Sequence, residues 1–322
     1  MKRVFALLLA LAMVLAMTAC GGKDPEPMAI RVAGMKGPTS MGMVKLMEDD
    51  EKGESFHDYA FTIATSADEI TPKLKQGEYD IAAVPANLAS ILYNNMEGQV
   101  KLLAINTLGV VYIVEKGNTV QSLADLKGKT IYATGKGTTP EYALNYLLSE
   151  RGLDMEKDVT MEWKSEPTEV VQILKKGESG VAMLPQPFVT VAQGNVEGLR
   201  IAADLNQEWT DLDNGSMFLT GTLVVRTEFA EKNPEALAAF LEEYAASTKW
   251  VNENPEEAGK LVEKAGIVKA DVAQKAIPYC NITCISGKDM KPAMDGYLKV
   301  LFDCNAKSVG GKLPDEGFYY VG

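Results

Sequence analysis

Apolar and polar residues alternate in short runs along this chain, as they do in strands, and between these runs apolar residues recur at helical spacing. Residues 29–106 predict strands and helices in strict alternation, near 29–33, 41–51, 59–64, 67–77, 80–84, 86–95 and 101–106. Residues 130–203 predict the same order again, near 130–134, 140–151, 159–163, 167–177, 180–184, 187–193 and 199–203. This alternation favours parallel sheets with helices on both faces.

The two halves also share residues at a constant offset of one hundred positions. Residues 67–85 align without gaps on residues 167–185, with seven identities. A second match in the same register follows the first predicted strand of each half, and its members are Lys36, Gly37 and Thr39, then Lys136, Gly137 and Thr139. Two such patches indicate an internal repeat. General strand–helix amphipathicity is the alternative explanation for the likeness.

Two further strand-like segments, 108–117 and 220–226, lie where the chain would pass between the halves and return. Two such crossovers predict two lobes that hinge on each other. The mostly helical remainder is expected to pack back on the first lobe. The prediction is therefore an α/β fold of two lobes, each with a doubly wound sheet. The first lobe comprises residues 28–108 and 220–322, and the second comprises residues 109–219.

The turns after the predicted strands are the candidate binding site. Sheets of this kind bind ligands beyond the carboxyl ends of their strands, where helix N-termini offer free N–H groups. The predicted ligand-binding residues are Gly37, Pro38, Thr39, Ser40, Met41 and Asn87 in the first lobe and Gly137, Thr138, Thr139, Gln186 and Pro187 in the second. Each hydroxyl could instead only cap its own helix.

Other side chains near these turns have two interpretations. Lys36 and Lys136 could contact an anion, but a loop lysine is more often solvated. Tyr112, Tyr142 and Phe188 could stack on a planar ligand, but aromatic residues at such spacings are usually part of a core.

The N-terminus predicts export and lipid attachment. Residues 1–20 combine two cations, an apolar run and small residues before Cys20, as in a lipoprotein signal peptide. The apolar run is shorter than the roughly 20 residues that span a bilayer. Residues 21–27, with Gly and Pro, suit a tether. The mature protein is therefore expected on the extracytoplasmic face of the cell membrane, anchored through lipid on Cys20.

Composition argues against several function classes. The chain has 32 basic and 44 acidic residues, a net charge of −12, which opposes nucleic-acid binding. Only His57 is available as an imidazole ligand, and the sequence has no zinc, nucleophile or phosphate-loop motif, so no catalytic residue, metal or cofactor is expected. Apart from Cys20, the cysteines allow at most one disulfide, with Cys280 to Cys304 preferred and Cys284 unpaired.

These features resemble type II periplasmic solute-binding proteins, in particular the nitrate, sulfonate and taurine group of ABC importers. The resemblance is carried by the lipobox at Cys20, by GPTSMG after the first strand, by SLADLKGKTI at 122–131, and by EALAAFLEEYAASTKWVNENPEEAGKLV after the returning strand. It implies a two-lobed, monomeric Venus-flytrap that closes on a small solute and presents it to a membrane permease.

Three alternatives stay open at this point. Pyrimidine synthases are similar in architecture, but the cysteine-rich motif and histidines on which they depend are missing here. A lipoprotein that senses a solute without transporting it would have the same sequence features. The solute itself is open, since hydroxyls and helix ends suit nitrate or a sulfonate and equally suit a neutral pyrimidine or an amide.

Overall fold

The computed structural model describes residues 26–322, which form two separate β-sheets. The strands are β1 (Ala29–Met35), β2 (Asp58–Ala64), β3 (Ile81–Pro85), β4 (Val100–Leu108), β5 (Val111–Lys116), β6 (Thr130–Ala133), β7 (Thr160–Trp163), β8 (Gly180–Pro185), β9 (Leu199–Asp204), β10 (Leu219–Arg226) and β11 (Ile282–Ile285). The α-helices are α1 (Pro38–Met41), α2 (Val44–Lys52), α3 (Ala67–Lys75), α4 (Ala86–Asn95), α5 (Thr139–Glu150), α6 (Pro167–Lys176), α7 (Phe188–Asn195), α8 (Leu205–Thr210), α9 (Thr227–Lys232), α10 (Pro234–Glu253), α11 (Pro255–Lys264), α12 (Ala270–Ala276) and α13 (Met290–Cys304).

The signal peptide, Cys20 and most of the tether lie outside the described residues. Across residues 26–322, no helix has both the length and the apolar character needed to cross a membrane. The strands and helices predicted for the two halves are present close to their predicted bounds. One of them differs, because the helix predicted at 41–51 consists of the single turn α1 followed by the longer α2.

Both sheets arrange their strands in the same order. The first sheet runs β11-β4-β10-β3-β1-β2, and the second runs β9-β5-β8-β6-β7. Apart from the edge strand β11, each sheet therefore places its own fourth, third, first and second strands in that order, with one crossover strand between the fourth and third. The repeat in the sequence is thus a repeat of topology.

The alternating strands of each half are parallel to one another, as predicted, whereas the crossover strands and β11 run antiparallel to their neighbours. Strand β10 runs antiparallel to β3 and β4, and β5 runs antiparallel to β8 and β9. Only Gly109 and Val110 separate β4 from β5. The chain leaves β4 at its carboxyl end and enters the second sheet beside the carboxyl ends of β8 and β9. Strand β5 therefore runs along those strands in the opposite direction.

The helices after β10 do not all stay with the first sheet. Helix α10 packs on that sheet, as predicted, through buried side chains that include Phe240. Helix α13 also reaches the second half, because Tyr297 lies 5.8 Å from the ring of Trp209. Trp209 in turn stacks on Phe218 at 5.3 Å. An aromatic cluster of Trp209, Phe218 and Tyr297 therefore joins the returning chain to the second half.

The cysteines in the described part of the chain are all free, so the preferred bridge between Cys280 and Cys304 is not formed. Cys280 is buried, with its Sγ 4.0 Å from the Sδ of Met41. Cys304 is exposed at the end of α13, with its Sγ 3.6 Å from the amide nitrogen of Asn145. These two cysteines have different neighbours, which the spacing in the sequence does not reveal.

Candidate functional site

The first predicted turn, residues 37–41, is buried between β1 and α2. Gly37 has a φ of +145°, a conformation that side chains other than hydrogen rarely permit. The backbone carbonyl of Thr39 accepts a hydrogen bond of 3.0 Å from the amide of Asn106. The hydroxyl of Ser40 is buried against β1 and has no partner in the described residues. Ser40 therefore faces its own sheet, and Thr39 is tied to β4.

The second predicted turn is partly occupied by its own chain. The backbone N–H of Gly137 donates to the carboxylate of Glu141. The hydroxyl of Thr138 donates to the carbonyl of Gly135 at 2.7 Å, so it closes the turn locally and does not cap the helix that follows. A helix N-terminus whose N–H already meets a carboxylate has less to offer an external anion. Thr139 is the buried hydroxyl of this turn.

Thr139 joins the two halves of the molecule. Its hydroxyl donates to the Oδ1 of Asn87 at 3.3 Å and accepts from the hydroxyl of Tyr297 at 3.0 Å. The amide of Asn87 donates onward to the carbonyl of Ser308 at 2.9 Å. All four groups are buried. The structure thus brings together two predicted site residues from the first turns of helices in opposite halves, and the returning chain adds Tyr297 and Ser308.

A cavity of about 590 Å³ lies between the second sheet and the returning chain. The second half contributes side chains from β5, β8, α7 and β9, among them Tyr112, Gln186, Thr190 and Ile201. The returning chain contributes Asp271, Lys275 and Tyr279, from α12 and the residues after it. This volume lies within the range of about 300 to 1,000 Å³ that is usual for small-molecule sites. Among the predicted ligand-binding residues, Gln186 lines it.

Gln186 is held in one orientation by its neighbours. It follows β8, and its backbone N–H donates to the carbonyl of Val110 at 2.9 Å. Its side-chain Oε1 accepts from both the N–H and the hydroxyl of Thr190, at 3.3 and 3.0 Å. The Nε2 group makes no hydrogen bond to the described residues. Pro187, buried beside it, precedes α7.

Tyr112 is the aromatic wall of the cavity. It is opposite Asp204 in the register of β5 and β9. Burial, and then the nearby charge of Asp204, raise the pKa of the Tyr112 hydroxyl, so this group stays protonated and can donate. Its oxygen is 3.5 Å from the backbone carbonyl of Tyr279, at the limit of a hydrogen bond.

The other residues with two interpretations lie away from the cavity walls. Lys36 and Lys136 are exposed and make no ion pair within the described residues, which fits solvated cations. Phe188 is buried in the core of the second half, together with Tyr112. Tyr142 is half-buried against the larger core.

Sequence reasoning missed the residues that the returning chain supplies. Asp271 and Lys275 lie on α12 with Tyr279 a little beyond it, in a segment predicted only as helical remainder. Their positions in the sequence carry no motif, because an amphipathic helix does not reveal which neighbour its exposed side will meet. No signal in one sequence would have found them.

A family model and several curated relatives match the sequence of this chain. The model of the NMT1-like family matches residues 50–266. Relatives named only as binding proteins occur in Brucella abortus, Brucella suis and Brucella melitensis, each 27% identical over 200 residues, which is 62% of this chain. The chain spans 60% of the length of these curated relatives.

Solved structures match over nearly the whole chain. An ABC transporter structure from Parabacteroides distasonis is 28% identical with a TM-score of 0.76, and the match covers 91% of this chain and 98% of that one. The periplasmic aliphatic sulphonate binding protein SsuA from Escherichia coli is 16% identical with a TM-score of 0.70, over 90% and 92% of the two chains. The second match shows the fold alone.

Proposed function

Because the chain belongs to the NMT1-like family and has the fold of periplasmic binding proteins, we propose that it is the solute-binding component of an ABC importer. In this proposal, residues 28–108 with 220–322 form one lobe and residues 109–219 form the other. The lobes close on a small solute, and the closed protein presents that solute to a membrane permease. The protein acts as a monomer and catalyses no reaction.

The observation that carries this proposal is the cavity whose walls come from both lobes. Tyr112 and Gln186 belong to the second lobe, and Asp271 and Tyr279 belong to the return of the first. A ligand that fills a space between two bodies stabilises their closed arrangement, because each body contributes contacts that it loses on opening. The bond between Thr139 and Asn87 supports the same arrangement, since it exists only while the lobes are together.

Lipid attachment at Cys20 completes the proposal. One acylated cysteine followed by a polar tether would keep the binding lobes near the permease without a spanning helix. Radioactive palmitate should label the wild-type protein, and a Cys20→Ala variant should lose both the label and membrane association. Labelling that persists in Cys20→Ala would contradict the anchor and leave the binding proposal intact.

A thermal-shift screen of small solutes on the mature protein tests solute binding. A ligand that binds only the folded state raises the melting temperature in proportion to the logarithm of its concentration above Kd. Uptake of the identified solute should then fall when the protein is deleted from cells. If no solute in a broad screen shifts the transition, the binding proposal fails. If a solute binds but its uptake is unchanged, the protein is a sensor.

A further inference from the structure

The charges around the cavity do not suit an anion. Asp271 and Lys275 lie four residues apart on α12 and bring opposite charges to the lining. The carboxyl group of Asp204, near Tyr112, is not part of the lining, and its Oδ1 accepts from the backbone N–H groups of Asn206 and Gln207. None of the described residues that line the cavity is an arginine. Arginine is the side chain best suited to form bidentate hydrogen bonds with sulfonates and other oxyanions.

The best-placed polar group in the cavity is a neutral donor. Gln186 is only 3% exposed, and Thr190 fixes its Oε1. The Nε2 group on the same amide is left without a partner among the described residues, on the wall of the cavity. This N–H group is accessible from the cavity and is not among the buried groups that lack a partner, so it can donate to a ligand that carries a hydrogen-bond acceptor.

The remaining walls are apolar and the space is large. Ile201 and Tyr279 are large hydrophobic side chains with 40% and 59% of their surface exposed, and both line the cavity with Tyr112. A ligand with an apolar face would cover them and gain about 25 cal/mol for each Å² removed from water. An ion of a few atoms, such as nitrate, would leave most of a 590 Å³ space filled with water.

We propose that the cavity binds an uncharged organic solute, with an apolar face against Tyr112, Ile201 and Tyr279 and a carbonyl-type oxygen that accepts from Nε2 of Gln186. This inference rests on the proposed function, and it makes Gln186 the residue that determines the class of solute. Thr190 is a positioning residue, because it acts on the solute only through the orientation of Gln186.

Three probes with the same ring and different charge test the class. Benzamide is neutral and has a carbonyl, benzenesulfonate is an anion, and benzylammonium is a cation. Saturation-transfer NMR on the mature protein at millimolar probe concentration gives the three dissociation constants. We expect benzamide to bind at least about tenfold more tightly than either ion.

Two substitutions test the role of Gln186. Gln186→Glu keeps the shape but replaces the donor by a charged acceptor, and it should weaken benzamide binding at least about tenfold. Thr190→Val removes the hydroxyl and leaves only the backbone N–H to hold Oε1 of Gln186, so the amide can rotate more readily without added charge. This variant should lower the preference for benzamide over benzenesulfonate. Gln172→Glu makes the same change of charge on the exposed face of α6 and should alter neither value. Circular dichroism identifies any variant that fails to fold, and Thr190→Val then decides.

Several outcomes overturn the inference. Tighter binding of benzenesulfonate or benzylammonium would assign the site to an ion, and no binding of benzamide would exclude the proposed class. Equal affinities of wild type and both cavity variants would remove Gln186 from recognition. None of these results touches the proposed function, which stands or falls on whether any solute in the wider screen stabilises the protein.

Discussion

The hydroxyl of Thr139 lies 3.3 Å from the Oδ1 of Asn87, and these two residues lie in the first turns of α5 and α4, which follow the first strand of one sheet and the third strand of the other. The bond is buried and is extended by the hydroxyl of Tyr297. It is a direct polar link between the two repeated halves, made by two residues of the predicted binding site.

Thr139→Val should lower the free energy of unfolding by about 1 to 3 kcal/mol. Valine keeps the shape of threonine but leaves the Asn87 oxygen without its donor and the Tyr297 hydroxyl without its acceptor, and both are buried. Urea denaturation measures the loss. Thr138→Val is the matched control, because that hydroxyl bonds only within its own half-exposed turn. Equal losses in the two variants would show that the link between the halves contributes nothing.

Gly221→Ala should destabilise the protein by about 1 to 3 kcal/mol, the usual cost of an extra group in a full core. A Cβ at this position on β10 would lie 2.4 Å from the methyl carbon of Thr39 and 2.6 Å from the side-chain oxygen of Asn106. Thermal denaturation tests this. Gly194→Ala on α7 is the control, since its Cβ would meet nothing within 4 Å, and alanine there should stabilise the helix slightly.

Arg200→Leu should lower the free energy of unfolding by about 2 to 3 kcal/mol. Arg200 on β9 pairs across the sheet with Glu115 on β5, at 2.5 Å, and the Glu115 side chain is only 3% exposed. Losing one partner of a buried pair costs about 3 to 5 kcal/mol, less here because Arg200 is partly exposed and Thr119 still donates to the carboxylate. Urea titration gives the value.

Arg151→Leu is the control for that substitution. Arg151 pairs with Glu208 at 2.8 Å in a more exposed setting, where ion pairs contribute less than about 1 kcal/mol. Equal losses of stability in the two arginine variants would show that burial of Glu115 does not strengthen its ion pair with Arg200.

Because of His57, we expect the free energy of unfolding to decrease as the pH falls below about 6.5, the usual pKa of histidine. Its ring is 1% exposed, and its Nδ1 accepts from the backbone N–H of Met28 at 3.2 Å. Burial lowers the pKa of His57, although the charge of Glu243 acts in the other direction. The unfolded chain therefore binds more protons than the folded one between the lowered pKa and 6.5, and stability decreases as pH decreases through that window.

His57→Gln should flatten this part of the curve of melting temperature against pH. The chain has a single histidine, so the change in slope can be assigned without ambiguity. The Asp and Glu side chains are the same in both proteins, so they contribute equally to the two curves. An unchanged slope in His57→Gln would contradict the prediction.

The secondary structure and the repeat were predictable because both depend on local spacing. Apolar periodicity located the strands and helices of each half, and the offset of one hundred located the turn of Thr139 and the strand end just before Asn87. The direction of the crossover strands was not predictable from that pattern. Alternating residues predict a strand equally well in either direction, and only the position at which the chain enters the sheet decides it.

The candidate site was predictable in part for the same reason. Gln186 lies at the end of a predicted strand, where such sheets bind ligands, and it lines the cavity. Ser40 was predicted by the same rule, yet its hydroxyl is buried against β1. Which way a hydroxyl in a turn points depends on its backbone angles. Tyr279 reaches the cavity only because the last hundred residues fold back, which is a long-range event.

The position of β10 inside the first sheet also fixes the order in which the halves can be completed. The second sheet is built from one continuous stretch, β5 to β9, so it has every strand as soon as residue 204 has left the ribosome. The first sheet has a gap between β3 and β4 until residues 219–226 arrive. The N-terminal half must therefore finish folding after the half that follows it, although its first four strands are synthesised earlier. Until then, the unpaired edges of β3 and β4 are available to other chains.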